Sequence, residues 1–216
     1  MLGFFILRGP MKTYEPFEWR NYKVPVIGVD EVGRGCLAGP VFAAAVMLDL
    51  DILEYPYTDS KKISEKQRNI WSDEIKNKFI WSVAFATVEE IDELNILNAS
   101  LLAMNRAVVA LNKPGSHVLV DGNQKIKNLE GYEQTTVVKG DLRASPIAAA
   151  SIVAKVARDE HIKKMDEVYP GYEFSKHKGY ATSLHKEVIK AKGPSPIHRL
   201  SFKGVKEFVT PAGPAL

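Results

Sequence analysis

Val26-Ile-Gly-Val-Asp-Glu-Val-Gly-Arg-Gly-Cys-Leu-Ala-Gly-Pro40 decides how the rest of this chain is read. An apolar run ends in two adjacent carboxylates, Asp30 and Glu31, and a Gly33-Arg34-Gly35 turn follows at once. The run has the character of a buried strand, and the glycines force a sharp turn beyond its end. Open α/β sheets place their ligands at the carboxyl ends of such strands. Two carboxylates there need a partner, because an unpaired buried charge is costly. Clustered hard oxygens suit a divalent cation such as Mg²⁺. With two of its three positions lacking side chains, the Gly33-Arg34-Gly35 backbone can touch a sugar or a phosphate. The stretch points to metal-assisted chemistry on a phosphate-bearing substrate.

Working outward, residues 24–30 read as a strand and 40–48 as its antiparallel neighbour, since the connection is too short for a crossover helix. Residues 49–63 read as loop. Ser64-x-x-Gln67 opens a helix to about residue 78, with Ile70, Trp71, Ile75 and Phe79 at helical spacing. A third strand follows at 80–86. Thr87-x-x-Glu90 opens a short helix, and a longer one spans 95–112. Strands are expected at 117–121 and 134–138. An Ala-rich helix follows at 145–168, buried along Ile147, Ile152, Val153, Val156 and Ile162. Its small residues at 148–151 imply close approach to the sheet or to another helix. Residues 171–180 read as loop, and 182–191 as a terminal helix. The sheet therefore mixes antiparallel and parallel neighbours.

Three strand ends carry carboxylates: Asp30-Glu31, Asp121, and Asp141 just past the fifth strand. Brought together, four acids repel strongly unless divalent cations bind between them. Two metals roughly 4 Å apart form a clamp for in-line phosphoryl displacement, one activating water and the other steadying the leaving oxygen. Taken singly, each site also reads as a solvated turn; their recurrence at strand ends is what favours chemistry.

At 216 residues, with 45% hydrophobic and 25% charged residues, the chain reads as one soluble globular domain. The net charge is only +3, but lysines and arginines crowd residues 139–192, which hints at a polyanion. Cys36 is the only cysteine, so no intrachain disulfide forms, which fits a reducing cytoplasm; packing is the reading preferred for it over reactivity. Residues 1–7 are apolar but too short to span a membrane, and the tail from Pro211 reads as disordered. The segment 28–35 has the glycine spacing of a phosphate-binding Walker loop, but Arg34 and Gly35 replace its Lys and Ser/Thr. A dinucleotide fingerprint fails on spacing, and the five histidines lack zinc-site spacing.

Seven segments now stand in order: Gly28 to Pro40; Asp59-Ser60-Lys61-Lys62; Glu90-Ile-Asp-Glu-Leu-Asn-Ile-Leu97; Val120-Asp-Gly-Asn123; Lys139-Gly-Asp141; Ala148 to Asp159; and His177-Lys-Gly-Tyr180. Together they are similar to ribonuclease HII, the type 2 ribonuclease H family, over roughly residues 22–205. Residues 1–21 form an extension outside the match, and 206–216 a tail. The resemblance implies an α/β, RNase H-like mixed five-stranded sheet flanked by helices, with a C-terminal helical extension. It implies Mg²⁺- or Mn²⁺-dependent endonucleolysis of the RNA strand of RNA–DNA hybrids. It also implies incision 5′ of single ribonucleotides in duplex DNA, leaving 3′-hydroxyl and 5′-phosphate ends. The catalytic, metal-binding carboxylates would be Asp30, Glu31, Asp121 and Asp141, the fourth being Asp as in this family rather than the Glu of ribonuclease HIII.

Gly33, Arg34 and Gly35 would sense the 2′-hydroxyl, which both donates and accepts hydrogen bonds, and Tyr180 would pack on the sugar. Ser60, Lys61, Lys62, Lys139, Arg143 and Lys178 are candidate phosphate contacts. Asp159 reads as a structural ion pair rather than a ligand. A monomer is the default, no membrane is involved, and no clear sliding-clamp motif stands near the C-terminus. Two other classes compete: a non-catalytic nucleic-acid-binding module, disfavoured by acids beside phosphates, and a phosphoesterase of a small metabolite, disfavoured by the basic second half.

Overall fold

The computed structural model describes residues 14–52 and 55–209. The expectations for the apolar residues 1–7 and for the tail from Pro211 lie outside the described residues.

Among the described residues, runs rich in β-branched and other apolar side chains, with the more polar β5 at one edge, form the strands β1 (Val26–Val32), β2 (Val41–Met47), β3 (Ile80–Ala86), β4 (His117–Asp121) and β5 (Glu133–Val137). They lie in the order β3-β2-β1-β4-β5. β1 pairs antiparallel with β2, and β2 with β3, whereas β4 runs parallel to both β1 and β5. The expected mixed sheet is therefore observed. Because β1, β4 and β5 point the same way, their carboxyl ends share one edge.

Six helices flank the sheet: α1 (Glu65–Lys78), α2 (Val88–Leu94), α3 (Ile96–Leu111), α4 (Ser145–Val168), α5 (Phe174–His177) and α6 (Ser183–Lys192). Period-two alternation divides the strands between two cores. On β2, Phe42, Ala44 and Val46 face α4, while Val41, Ala43 and Ala45 face α3. The close approach expected of α4 falls at Gly28, where a Cβ would lie 2.0 Å from the carbonyl carbon of Pro146. Helix α4 thus rests backbone against backbone on β1, and carries Ser151, Lys155 and Arg158 beneath the carboxyl edge.

Local capping signals are obeyed. Ser64 accepts a hydrogen bond from the Gln67 amide, and Thr87 and Glu90 form both halves of a capping box. Three features differ from the sequence reading. The 171–180 loop contains the single-turn helix α5. On α1, Ile70 faces solvent and Arg68 is buried instead, because its guanidinium donates to the carbonyls of Ser60 and Ile63. Finally, residues 14–22 pack on the domain: Trp19 is buried, the Phe17 amide donates to the Arg143 carbonyl, and the Tyr22 hydroxyl donates to Thr135.

Candidate active site

The shared strand edge gathers the acids. Asp30, Glu31 and Asp121 each offer a carboxylate oxygen, and the three oxygens lie within 4.8 Å of one another. Asp30 ends the apolar stretch of β1 and is 6% exposed. One of its oxygens accepts the Glu31 amide at 2.7 Å, and the Ser151 hydroxyl also bonds to it. Burial first, then the charges of Glu31, Asp121 and Asp141, push the Asp30 carboxyl well above its ordinary range. Asp121 closes β4 and accepts the Gly140 amide at 2.7 Å; burial and the Glu31 charge push it up as well. Glu31 is raised by burial despite the opposing pull of Arg34, whose guanidinium stands 3.3 Å away.

Asp141 sits apart from the close trio, on the 3-10 turn Gly140–Leu142 beyond β5. It is pushed up to about 6 by burial, then by Asp121 and Asp59. A buried set of oxygen donors that raise one another's proton affinity is short of positive charge. That is the donor chemistry of a hard divalent cation site. The residues present therefore fit the metal expected from the sequence.

Basic and aromatic groups surround this edge. Lys61 lies close enough to Asp30, Asp59 and Asp141 for their charges to raise it, although burial opposes them. Its amide donates to the Asp59 carboxylate at 2.8 Å, which fixes the Asp59–Lys62 turn. The Tyr180 ring lies beneath two cations, with Lys155 Nζ 5.2 Å and Arg158 Cζ 5.6 Å from its centroid. Lys62 is exposed and Lys178 half-buried. The remaining expected contacts are differently placed. Ser60 is buried, its hydroxyl bonded to that of Ser151 at 3.0 Å, which in turn bonds to Asp30. Lys139 is bonded to the Tyr14 hydroxyl, and Arg143 donates to the Glu15 and Val138 carbonyls. Asp159 forms the structural ion pair expected, 2.7 Å from Lys155. Cys36 is fully buried, as its packing role requires.

The segment carrying Tyr180 is held by three imidazoles whose hydrogen bonds fix their tautomers. The Gly179 amide donates to His177 Nδ1, so Nε2 carries the proton and donates to the Tyr172 carbonyl. The Ser195 amide donates to His198 Nδ1, leaving Nε2–H to donate to His185 Nε2 at 3.0 Å. His185 then donates from Nδ1 to the Tyr180 carbonyl at 3.0 Å. Burial holds both His185 and His198 down to about 4, so the chain is neutral near pH 7.

Two cavities meet over the acids. One, of about 270 Å³, is lined by Gly33, Gly35, Ser60, Lys61 and Tyr180; the other, of about 210 Å³, by Leu97, Ser100, Met104, Asn123 and Gln124. Both are also lined by Glu31 and Arg34. Glu31 therefore sits midway along a trough, with Asp121 lining its second half. Sequence reasoning missed Ser151, Asp59 and the buried Arg158 and Arg199, because a serine in an Ala-rich run or a lone arginine carries no local mark of a site.

A five-stranded mixed sheet that gathers carboxylates at its parallel strand ends, beside a glycine turn and lysines, defines a metal-dependent phosphodiester hydrolase of the ribonuclease H fold. The family model described as Ribonuclease HII matches residues 27–205. A Ribonuclease HII of Marinomonas sp. (strain MWYL1) is 51% identical over 197 residues, which cover 90% of this chain and 98% of that protein. The chain belongs to the ribonuclease HII family, and is a metal-dependent endoribonuclease of RNA–DNA hybrids. The ribonuclease H2 of Pyrococcus horikoshii OT3 superposes with a TM-score of 0.69 at 26% identity, covering 85% of this chain and 96% of that one. The Mn²⁺ complex of Bst-RNase HIII shares the fold, with a TM-score of 0.65 at 19% identity, over 85% of this chain and 68% of that one. Among the described residues no helix is long and apolar enough to cross a membrane.

Proposed function

We propose that this enzyme, besides cutting the RNA strand of hybrids, incises duplex DNA on the 5′ side of a single embedded ribonucleotide, leaving 3′-hydroxyl and 5′-phosphate ends. The observation that carries this reading is the trough: two cavities adjoin at Glu31 and Arg34, one lined by the glycine turn and Tyr180 and the other by Asp121. A strand running through suits that shape better than a small metabolite does.

Asp30 and Asp121 would be the central metal ligands, with Glu31 and Asp141 completing two sites. Mg²⁺ or Mn²⁺ bound there would supply activation of the attacking water and stabilisation of the departing 3′-oxygen. Ser151 and the Gly140 amide hold the ligand oxygens of Asp30 and Asp121 in place. The Gly33-Arg34-Gly35 backbone would meet the ribose 2′-hydroxyl, where only RNA offers both a donor and an acceptor. Tyr180 would pack on the neighbouring sugar, and Lys61 and Lys62 would hold the phosphates next to the cut. The Mn²⁺ complex of Bst-RNase HIII supports a divalent ion on this fold.

An end-labelled DNA duplex with one ribonucleotide, beside an all-DNA control, tests the reading. One cut 5′ of the ribonucleotide is expected with Mg²⁺ or Mn²⁺ and none with EDTA, the control remaining intact. Cleavage of a long hybrid without cleavage of the single-ribonucleotide duplex would overturn it.

A further inference from the structure

Among the described residues two arginines are fully buried, Arg158 on α4 and Arg199 beyond α6. Buried guanidinium groups ordinarily find a carboxylate, since desolvating a charge costs several kcal/mol. Among the described residues neither arginine has a carboxylate within ion-pair distance. The adjacent acids are committed elsewhere: Asp159 to Lys155, and Asp92 to the Leu200 and Ser201 amides.

Both forks instead close on backbone carbonyls: Arg199 on the 33–40 turn alone, Arg158 on that turn and on the segment that carries Tyr180. Arg199 Nη1 donates to the Arg34 carbonyl at 2.9 Å, and its Nε and Nη2 both donate to the Gly39 carbonyl. Arg158 Nη1 donates to the Lys178 carbonyl at 2.9 Å, and its Nη2 to the Ala38 carbonyl at 3.1 Å. Arg158 also lies directly under the glycine turn. A Cβ at Gly33 would stand 2.2 Å from its Nε, and one at Gly179 3.2 Å from its Nη2. Between them, the Cys36–Tyr180 bridge and the Leu37 amide bonded to the Gly179 carbonyl join the two segments edge to edge.

We infer that Arg158 and Arg199 are positioning residues for ribonucleotide recognition: the acid-free fork of Arg199 braces the 33–40 turn from Arg34 to Gly39, that of Arg158 locks the turn to the Tyr180 segment, and together they fix the backbone facing the sugar. The inference rests on the reading of Gly33-Arg34-Gly35 and Tyr180 as the ribose-sensing elements. A carbonyl held from behind by a buried cation cannot rotate, so the amides of the turn keep one orientation. Five donors in one rigid plane suit this task, and a lysine ammonium cannot reproduce the fork. The same two charges also lie under a surface that meets phosphates, without being exposed to it.

The test compares wild type with Arg199→Lys and Arg158→Lys, which keep the charge and lose the fork. Affinity is measured for a duplex containing one ribonucleotide and for its all-DNA counterpart, in Ca²⁺ so that both stay intact. Mn²⁺-induced thermal stabilisation reports separately on the carboxylates. The expected result is a folded Arg199→Lys enzyme with the wild-type Mn²⁺ shift, whose ribose-over-deoxyribose preference drops by about 10- to 100-fold, the scale of an ångström-level misplacement. Should Arg199→Lys fail to fold, Arg158→Lys carries the same comparison from the other side of the joint. A folded variant that keeps the full preference overturns the inference. If wild type itself shows no preference, the reading of the turn as the ribose sensor fails instead.

Discussion

At the scale of single residues, the acids separate chemistry from stability. Raised carboxyls favour the folded state only while protonated. For Asp141, moved from 3.8 to about 6, that contribution is present below the lower value and lost as pH rises through the upper one. The metal-free protein therefore carries a penalty at neutral pH, and cation binding relieves it. Asp121→Asn keeps an acceptor for the Gly140 amide and removes one charge. We expect it to abolish turnover, to melt higher than wild type in EDTA, and to lose the rise in melting temperature that Mg²⁺ gives wild type. Turnover within tenfold of wild type at saturating metal would remove Asp121 from the ligand set. Gly33→Ala places a methyl group against Arg158 and forces alanine to a φ of +98°. A loss of about 2 kcal/mol or more follows, read as a lower urea midpoint. The four acids were legible because they stand at or just past strand ends. The roles of Arg158 and Arg199 were not, because sequence patterns place charged residues on surfaces, and only the fold reveals which carbonyls receive them.

Elements were legible wherever their signals are local. The capping residues Ser64 and Thr87 and the period-two alternation of β1 and β2 mark boundaries within a residue or two. Helix α5 escaped because it is a single turn flanked by Glu173 and Lys178, both at positive φ, with no periodicity to detect. The helical part that follows it has its own titration. His185 and His198 are held near 4 against an unfolded value of 6.5. For a depressed group the stabilising contribution is complete above the unfolded value and disappears as pH falls through the folded one. We therefore expect the C-terminal helical part to weaken between pH 6.5 and 4. The acid cluster changes stability in the opposite sense, so the comparison is with His198→Gln, whose urea midpoint falls less steeply over that window. Imidazole proton resonances that titrate near 6.5 instead would contradict the neutral chain.

For the whole molecule, a net charge of +3 is too small to hold nucleic acid by itself, and local placement matters more. The acids occupy one point of the trough, with Lys61 and Arg34 directly beside them. Duplex binding should weaken steeply with salt, and Lys61→Ala should lower affinity for every sequence alike while reducing the log–log salt slope by about 1. An unchanged slope would place Lys61 away from phosphate. The mixed sheet was readable as a class from the short β1–β2 connection, but the neighbour relation of β1 and β4 was not, since no local signal pairs strands so far apart in sequence.

That separation has a consequence in time. The acid trio needs Asp121 beside Asp30, and the turn at residues 34–39 is fastened by Arg199. During synthesis from the amino terminus, Asp30 and Glu31 emerge long before Asp121, and the Arg199 fastening comes later still. A growing polypeptide that still lacks Asp121 therefore cannot assemble the acid trio. Hydrolytic competence appears as one of the final events of folding, when long-range contacts close.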